Sequence, residues 1–220
     1  AFEGKTAAQL EGNPDFANWA AGKLSAPPEG EDNSEFIKRL CIGLNLIVMD
    51  MLEKGITVAV VKYRLPNHNH KVPYTDVANT FRYCRENSKK WGVEKIGVIG
   101  FSAGGHLAAT ASNLWADAVT RPDFSILIYP VITLTSGITH HGTHKNLLGE
   151  KKMIQEKYLD RYSLEKQVNR FTPPTFIALC SDDATVPAEN SLMYYNKLID
   201  VAVPVEMHIW PTGGHGWGFS

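Results

Sequence analysis

Residues 95–106 read KIGVIGFSAGGH, and this stretch decides the fold that the sequence predicts. Its apolar beginning is typical of a buried strand, and the alanine-rich run that follows to residue 114 is typical of a helix. Between them lies the pattern Gly-x-Ser-x-Gly, with Ser102 at its centre. Small residues around a serine at a strand-to-helix turn indicate a nucleophile held out on a sharp turn.

Strand-like and helix-like segments alternate along the chain from about residue 54. Runs typical of strands cover residues 55–61, 95–99, 124–129, 175–180 and 203–210. Helical patterns cover residues 74–91, 103–114 and 188–199, and residues 34–54 are compatible with a further helix. This alternation predicts an α/β domain with a mostly parallel sheet and helices on both faces.

Two parts of the chain fit this pattern less well. Residues 1–40 are rich in turn-forming residues, and residues 133–170 loosen into a polar, histidine-containing stretch. Insertions of that kind usually lie over the carboxyl ends of parallel strands, where ligands bind. We expect one domain over residues 1–220 in which residues 133–170 form a small lid; a solvated connection is the alternative.

Composition excludes several functional classes. The 220 residues carry a formal net charge of -1, which gives no electrostatic case for binding nucleic acid or an anionic membrane. The longest unbroken apolar run, residues 176–180, is too short to span a bilayer. The three widely spaced cysteines fit neither a disulfide framework nor a zinc site.

A serine nucleophile needs a base and an acid that orients the base, and both are present downstream. Asp182 and Asp183 follow the strand at residues 175–180, and His215 lies in a glycine-framed loop after the last strand. The chain order Ser, Asp, His, each after its own strand, predicts a catalytic triad at one edge of the sheet. The backbone N–H of Ala103, in the first turn of the helix, is expected to bind an oxyanion.

From about residue 55 onward, the sequence resembles an α/β-hydrolase of the bacterial esterase/lipase group that includes acetylxylan esterases. The matching segments are YRLP at 63–66, GFSAGGH at 100–106, YPV at 129–131, KNLLG at 145–149, DDATVP at 182–187 and GGHGWGF at 213–219. The resemblance implies Ser102 as nucleophile and His215 as general base and then acid. Asp183 matches the family's D-x-x-V-P spacing, and Asp182 is the second choice, with hydrogen bonding of the loop as its structural alternative.

The sequence departs from the family's pattern in one respect. The family carries a glycine-rich His-Gly-Gly-Gly type of loop that supplies further oxyanion donors, and none precedes Tyr63 here. A helix after the histidine loop is also missing. Two alternatives follow: the sequence lacks portions of the natural protein, or its oxyanion hole is built differently.

The function implied by the resemblance is hydrolysis of short acyl esters, chiefly acetyl esters of carbohydrates, through an acyl-enzyme and without a cofactor. An amidase or peptidase-type hydrolase with the same triad is one alternative, and a catalytically silent binding protein on this fold is another. Because a polysaccharide esterase must reach its substrate, we expect a periplasmic or secreted protein, although the residues themselves leave the compartment and the oligomeric state open.

The lid region contains three neighbouring histidines, His140, His141 and His144. No cysteine or carboxylate stands at a supporting spacing, so we expect polar lid residues near the substrate and no metal site. Trp217, beside the histidine loop together with Phe219, is a candidate wall for an acyl group or a sugar, and covering the core edge is its alternative.

The remaining histidines are expected to have no chemical role. His68 and His70 lie in a polar loop and are predicted to be surface residues. His106 is predicted to pack under the active site, and His208, on the last strand, is predicted to be structural.

Overall fold

The computed structural model describes residues 48–67, 69–135 and 137–217. Residues 48–59 belong to one compact unit and residues 60–217 to another. In the first unit, residues 48–53 are helical, which agrees with the end of the helix predicted over 34–54; the rest of that helix lies outside the described residues. The extent of the domain over 1–220 stays a prediction.

In the described residues, a parallel sheet of four strands forms the centre of the larger unit. Its strands are β1 (Val98–Phe101), β2 (Ser125–Ile128), β3 (Thr175–Cys180) and β4 (Val205–Trp210). They lie side by side in that order, each parallel to its neighbour. The carboxyl ends of all four strands therefore meet at one edge, as the alternating sequence pattern predicts.

Five helices and a short 3-10 turn accompany the sheet in the described part of the larger unit. They are α1 (Lys71–Trp91), α2 (Ser102–Asn113), α3 (His141–Leu148), α4 (Glu156–Tyr162), the 3-10 turn Leu164–Lys166 and α5 (Glu189–Asp200). Helix α2 packs against β1 and β2, and α1 packs on α2. None of the described helices is long and apolar enough to cross a membrane.

The core is continuous from α2 through the sheet to α5. Ala108 and Ala109 of α2, Leu127 of β2, Ile177 of β3 and Tyr194 of α5 are buried in one cluster. Alanine on the inner face of α2 lets this helix approach the sheet closely. The buried Ser112 hydroxyl also lies 2.6 Å from that of Ser125, which joins α2 to β2 by a hydrogen bond.

Helix α1 begins at Lys71, three residues before the predicted start at residue 74. The prediction began after Pro73, which is in fact the third residue of the helix. Proline is tolerated there because the first-turn N–H groups have no partner within a helix. The helix ends at Trp91 and is capped by Gly92, whose φ of 67° lies in the left-handed region that favours glycine.

The strand predicted at residues 55–61 is wrong. The segment has no strand in the structure, and most of its residues are exposed. A β-branched run makes a strand only when a neighbouring strand accepts its backbone hydrogen bonds, and no described residue pairs with this run. The other four predicted strands are confirmed, with β1 shifted to Val98–Phe101.

Residues 133–170 contain α3, α4 and the 3-10 turn, none of which the sequence pattern predicted. Leu134, Leu148 and Tyr162 from this region form a small buried cluster of their own. The region is thus a packed substructure in its described residues; its role as a lid stays a prediction.

Replacing Gly100 by alanine is expected to lower the free energy of unfolding by about 3 kcal/mol, as overpacking a close contact does. A Cβ at position 100 would lie 2.3 Å from the carbonyl oxygen of Gly104 and 2.8 Å from Cβ of Ala108, so β1 and α2 would have to separate. Urea unfolding followed by circular dichroism measures the difference.

Gly104→Ala is the matched control for that substitution. A Cβ at position 104 would meet nothing nearer than Oη of Tyr63 at 4.0 Å, and alanine favours the helix. We expect stability equal to or slightly above that of the wild type. Equal stability of the two variants would contradict the close approach at Gly100.

Candidate active site

Ser102 lies at the turn from β1 into α2, at the carboxyl edge of the sheet. Its φ of +52° is in the left-handed region, which a non-glycine residue rarely occupies. The residues around it hold this conformation, because the carbonyl oxygen of Ser102 accepts a hydrogen bond of 3.1 Å from the N–H of Val131, just after β2. The turn directs the serine away from the helix axis, as a nucleophile elbow requires.

His215 connects Ser102 to Asp183. Its Nε2 lies 2.8 Å from Oγ of Ser102, and its Nδ1 lies 2.6 Å from Oδ2 of Asp183. Since the carboxylate can only accept, Nδ1 donates to it and Nε2 is left to accept the serine proton. The structure thus brings together the three residues that the sequence singled out, over a separation of 113 residues between Ser102 and His215.

The side chain of Asp183 is completely buried. Its Oδ1 accepts hydrogen bonds of 2.9 Å from the N–H groups of Thr185 and Val186, and Oδ2 faces His215. Burial alone would raise the pKa of this carboxyl, but the hydrogen bonds from His215 and the two N–H groups outweigh it and lower the pKa below its usual value. Asp183 therefore stays ionised in neutral solution and takes up a proton only as the pH falls through that lowered pKa.

Asp182 accepts hydrogen bonds from the backbone of the loop that carries His215. Its Oδ1 accepts a hydrogen bond of 2.7 Å from the N–H of Gly214, and its Oδ2 accepts one of 3.2 Å from the N–H of Gly213. These two residues directly precede His215. The geometry matches the structural alternative given for Asp182 and places Asp183 at the imidazole.

Asp182→Ala is expected to lower kcat for an ester about tenfold, because a loosened loop misplaces the imidazole. KM should change little, since the variant leaves the substrate contacts in place. Steady-state hydrolysis of p-nitrophenyl acetate measures both constants. A fall of about four orders of magnitude would instead assign Asp182 as the acid of the triad.

Ala103 occupies the first turn of α2, directly after Ser102. The N–H groups of that turn have no partner within the helix, and the positive end of a helix of 12 residues favours an anion. This is the position at which the sequence predicts an oxyanion donor. The donor role of Ala103 stays a prediction.

A cavity of about 250 Å³ opens beside Ala103. Its walls come from α1, α2, α3, α4 and the segments that precede α1 and α3, and they include six aromatic or imidazole rings. The rings belong to Tyr63, His70, Tyr74, His106, His140 and Tyr162. A cavity with apolar faces and a few polar atoms is the usual form of a small-molecule site, and this one reaches Ala103, the residue after Ser102.

His70 is a correction to the sequence-based interpretation, which placed it on the surface. It is only 9% exposed, and its ring makes edge contacts with Tyr158 and Tyr162, each at 5.2 Å between ring centroids. Its Nδ1 accepts a hydrogen bond of 3.3 Å from Nζ of Lys152. Burial, together with the charge of Lys152, lowers the pKa of His70. His68 lies outside the described residues.

His106 is buried on α2 and lines the cavity. Its Nε2 donates a hydrogen bond of 2.8 Å to the carbonyl oxygen of Tyr162, and burial lowers its pKa to about 4. It is therefore a neutral packing residue that ties α2 to the end of α4. His208 lies exposed on β4, 2.7 Å from Oε1 of Glu206.

The three lid histidines have different surroundings. His141 is exposed, His144 is buried within α3, and His140 precedes the helix and lines the cavity. Within the described residues, no group of three histidine, cysteine or carboxylate side chains is placed to hold a metal ion.

Trp217 packs beside the site, with its ring 5.1 Å from that of Tyr129 between centroids. It also packs against the buried core cluster, in agreement with the core-covering alternative. Its contact with substrate stays a prediction. Phe219 lies outside the described residues.

Sequence reasoning missed one residue that contacts His215 and one that joins α5 to the segment after β2. Tyr129 has a φ of +36°, and its ring lies 4.7 Å from that of His215 between centroids. Asn190 of α5 is fully buried, and its Oδ1 accepts hydrogen bonds from the N–H groups of Ile132 and Thr133. The YPV segment at 129–131 was a signal for Tyr129, whereas an asparagine on a helix gave none for Asn190.

A family model described as the alpha/beta hydrolase fold matches residues 51–219. The chain belongs to the α/β-hydrolase family. This confirms the fold class and the resemblance that residues 95–106 first suggested. The triad geometry described above is the arrangement that this fold offers at the carboxyl edge of its sheet.

Two curated relatives share more than a third of their aligned residues with this hydrolase. An acetylxylan esterase of Xylanibacter ruminicola is 38% identical over 176 residues, which are 78% of this chain and 36% of the relative. Endo-1,4-beta-xylanase B of Butyrivibrio fibrisolvens is 34% identical over 187 residues, covering 78% of this chain and 29% of the relative. The chain thus spans about a third of the length of these relatives.

Solved structures give the same relationship. The acetyl ester-xyloside bifunctional hydrolase from Caldicellulosiruptor lactoaceticus superposes with a TM-score of 0.72 at 38% identity, over 78% of this chain and 67% of that one. A sugar hydrolase from Lactococcus lactis gives a TM-score of 0.64 at 30% identity, over 78% of this chain and 68% of that one.

Proposed function

We propose that this α/β-hydrolase is a serine esterase that cleaves short acyl esters, chiefly acetyl esters, of carbohydrates. One observation carries the catalytic part of the proposal: the continuous hydrogen-bonded chain from Oγ of Ser102 through His215 to the buried Asp183. A serine aligned with a base, and a base aligned with an ionised acid, is the arrangement that activates a hydroxyl for acyl transfer.

The hydrogen bonds between Ser102, His215 and Asp183 determine which group takes up the proton at each step of the reaction. Oγ of Ser102 attacks the ester carbonyl carbon while Nε2 of His215 takes the hydroxyl proton. The ionised Asp183 stabilises the imidazolium, and the N–H of Ala103 binds the developing oxyanion. The C–O bond to the alcohol then breaks, and the alcohol leaves with the proton from Nε2. Water attacks the acyl-enzyme by the same route, which releases the acid and restores the serine.

The choice of substrate is supported by the relatives. One of the curated relatives is an acetylxylan esterase, and one of the similar solved structures is an acetyl ester-xyloside bifunctional hydrolase. Each shares 38% of its aligned residues with this chain. Identity at this level supports an oxygen ester of an acetylated sugar over an amide or a peptide.

Covalent labelling tests the catalytic part. A fluorophosphonate should add to one residue, Ser102, as shown by mass spectrometry of the peptides, and heat-unfolded protein should not react. Absence of labelling in the folded protein would favour the silent binding protein over the enzyme.

A substrate panel tests the remainder of the proposal. We expect hydrolysis of p-nitrophenyl acetate and of acetylated xylo-oligosaccharides, with much slower cleavage of p-nitrophenyl octanoate and of p-nitroacetanilide. Faster cleavage of the anilide than of the acetate ester would show an amidase instead.

A further inference from the structure

One side chain that lines the cavity beside Ala103 has no role in the proposed triad. It belongs to the residue that directly precedes α3. His140 lines this cavity and is half-buried. We propose that His140 is a specificity-determining residue that donates a hydrogen bond from Nε2 to the sugar portion of the substrate. The inference rests on the proposed function, because it assigns the cavity to the carbohydrate alcohol of the ester.

The hydrogen-bond pattern fixes which ring nitrogen carries the proton. His140 is the N-cap of α3, and its Nδ1 accepts a hydrogen bond of 3.3 Å from the backbone N–H of Thr143. The Thr143 hydroxyl lies 2.9 Å from the same nitrogen. Since a backbone N–H can only donate, Nδ1 is the acceptor and the neutral ring carries its hydrogen on Nε2.

The Nε2 atom of this cavity-lining residue is left as a donor. No described residue accepts a hydrogen bond from it, whereas Nε2 of His106 donates to the carbonyl oxygen of Tyr162. Burial lowers the pKa of His140, and the charges of His215 and His141 lower it further. The ring therefore remains a neutral donor while His215 gains and loses its proton.

The position of His140 depends on residues before and after it in the chain. Nδ2 of Asn190 donates a hydrogen bond of 2.8 Å to the carbonyl oxygen of Ile138, which anchors the segment that leads to His140 on α5. Gly142 leaves room for the ring, because a Cβ at that position would lie 3.2 Å from its Cε1. A donor held in this way is preorganised, so binding to it costs little conformational entropy.

The cavity fits a sugar better than an acyl chain. An acetyl group fills a small part of about 250 Å³, so the alcohol portion of an acetyl ester must occupy the rest. The rings of Tyr63 and Tyr162 offer apolar faces, and Thr143 and Asn146 add polar atoms at the α3 side. Apolar faces with a few fixed donors match a pyranose, which presents C–H faces and hydroxyl groups.

His140→Asn is the decisive variant, because it separates the cap from the donor. Asparagine is a favoured N-cap and retains an acceptor near the position of Nδ1, but it has no atom at Nε2. We expect kcat/KM for an acetylated xylo-oligosaccharide to fall roughly tenfold, the usual effect of one lost hydrogen bond. The loss should lie in KM, and p-nitrophenyl acetate, which has no sugar hydroxyl, should be cleaved at the wild-type rate.

Two further variants serve as controls. His141→Asn makes the same substitution at the adjacent exposed histidine and should leave both substrates unaffected. His140→Gln places an amide N–H near the position of Nε2 and should recover most of the sugar-ester activity. If His140→Asn does not fold, the comparison passes to His140→Gln and His140→Met, which have similar length and no cap but differ in the donor.

The outcomes distinguish this inference from the proposed function. Equal loss on both substrates in His140→Asn would show a structural role and overturn the inference alone, as would full activity on the sugar ester. A wild type that cleaves p-nitrophenyl acetate but no sugar acetate would overturn the carbohydrate substrate and this inference together. Preference for p-nitrophenyl octanoate over the acetate would assign the cavity to an acyl chain and also overturn it.

Discussion

Ser102→Ala is expected to reduce kcat for p-nitrophenyl acetate by about 10⁶, the effect seen when a serine hydrolase of this type loses its nucleophile. The variant keeps His215, Asp183 and the first turn of α2, but no atom remains to form the acyl-enzyme. Initial rates measured against buffer alone give the residual activity, and fluorophosphonate labelling should disappear in parallel.

The fold must be intact for that result to carry meaning. Ser88→Ala, near the end of α1 opposite to the residues that line the cavity, is the matched control and should retain the wild-type rate. Its hydroxyl bonds only to the carbonyl oxygen of Arg85 within the same helix. Retention of the wild-type rate in Ser102→Ala would overturn the assigned nucleophile.

Asp183→Asn is expected to lower kcat by about 10⁴ with little change in KM. The structure fixes how the new amide would be oriented, because the N–H groups of Thr185 and Val186 both donate to Oδ1. The amide oxygen must therefore take that position, and the NH₂ group must face Nδ1 of His215. The imidazole then carries its hydrogen on Nε2 and cannot accept the proton of Ser102.

Steady-state kinetics of Asp183→Asn beside Asp182→Ala test this reasoning. A fall of less than tenfold in Asp183→Asn, or an effect confined to KM, would show that the orientation of His215 does not depend on this carboxyl. Circular dichroism should give the same folded spectrum for both variants.

The geometry of the proposed triad was predictable because each of its three residues has a local signature. Ser102 lies in a Gly-x-Ser-x-Gly turn, Asp183 precedes Val-Pro after a strand, and His215 stands between glycines. A parallel sheet then brings the ends of these strands to one edge whatever the loops do. Of the two adjacent aspartates, the D-x-x-V-P spacing already favoured Asp183, and the structure adds the contact of its carboxylate with the imidazole.

Features that depend on distant partners were not predictable. His70 lies in a polar loop, and only the rings of Tyr158 and Tyr162, almost a hundred positions away, make it a buried residue. The β-branched run at 55–61 has the composition of a strand, but composition cannot show whether a neighbouring strand is present to pair with it. His140 likewise became a candidate donor only when Thr143 fixed its tautomer.

The parallel order of the strands also has a consequence for how this protein is folded and purified. Ser102 follows β1 and His215 follows β4, the first and last strands in the described residues, so their 2.8 Å hydrogen bond closes only after the chain between them has assembled. Contacts of such large sequence separation form slowly and late. If the proposed triad is the catalyst, the specific activity is therefore proportional to the fraction of molecules in which β1 to β4 are all native. A misfolded fraction with normal helix content contributes nothing to the assay.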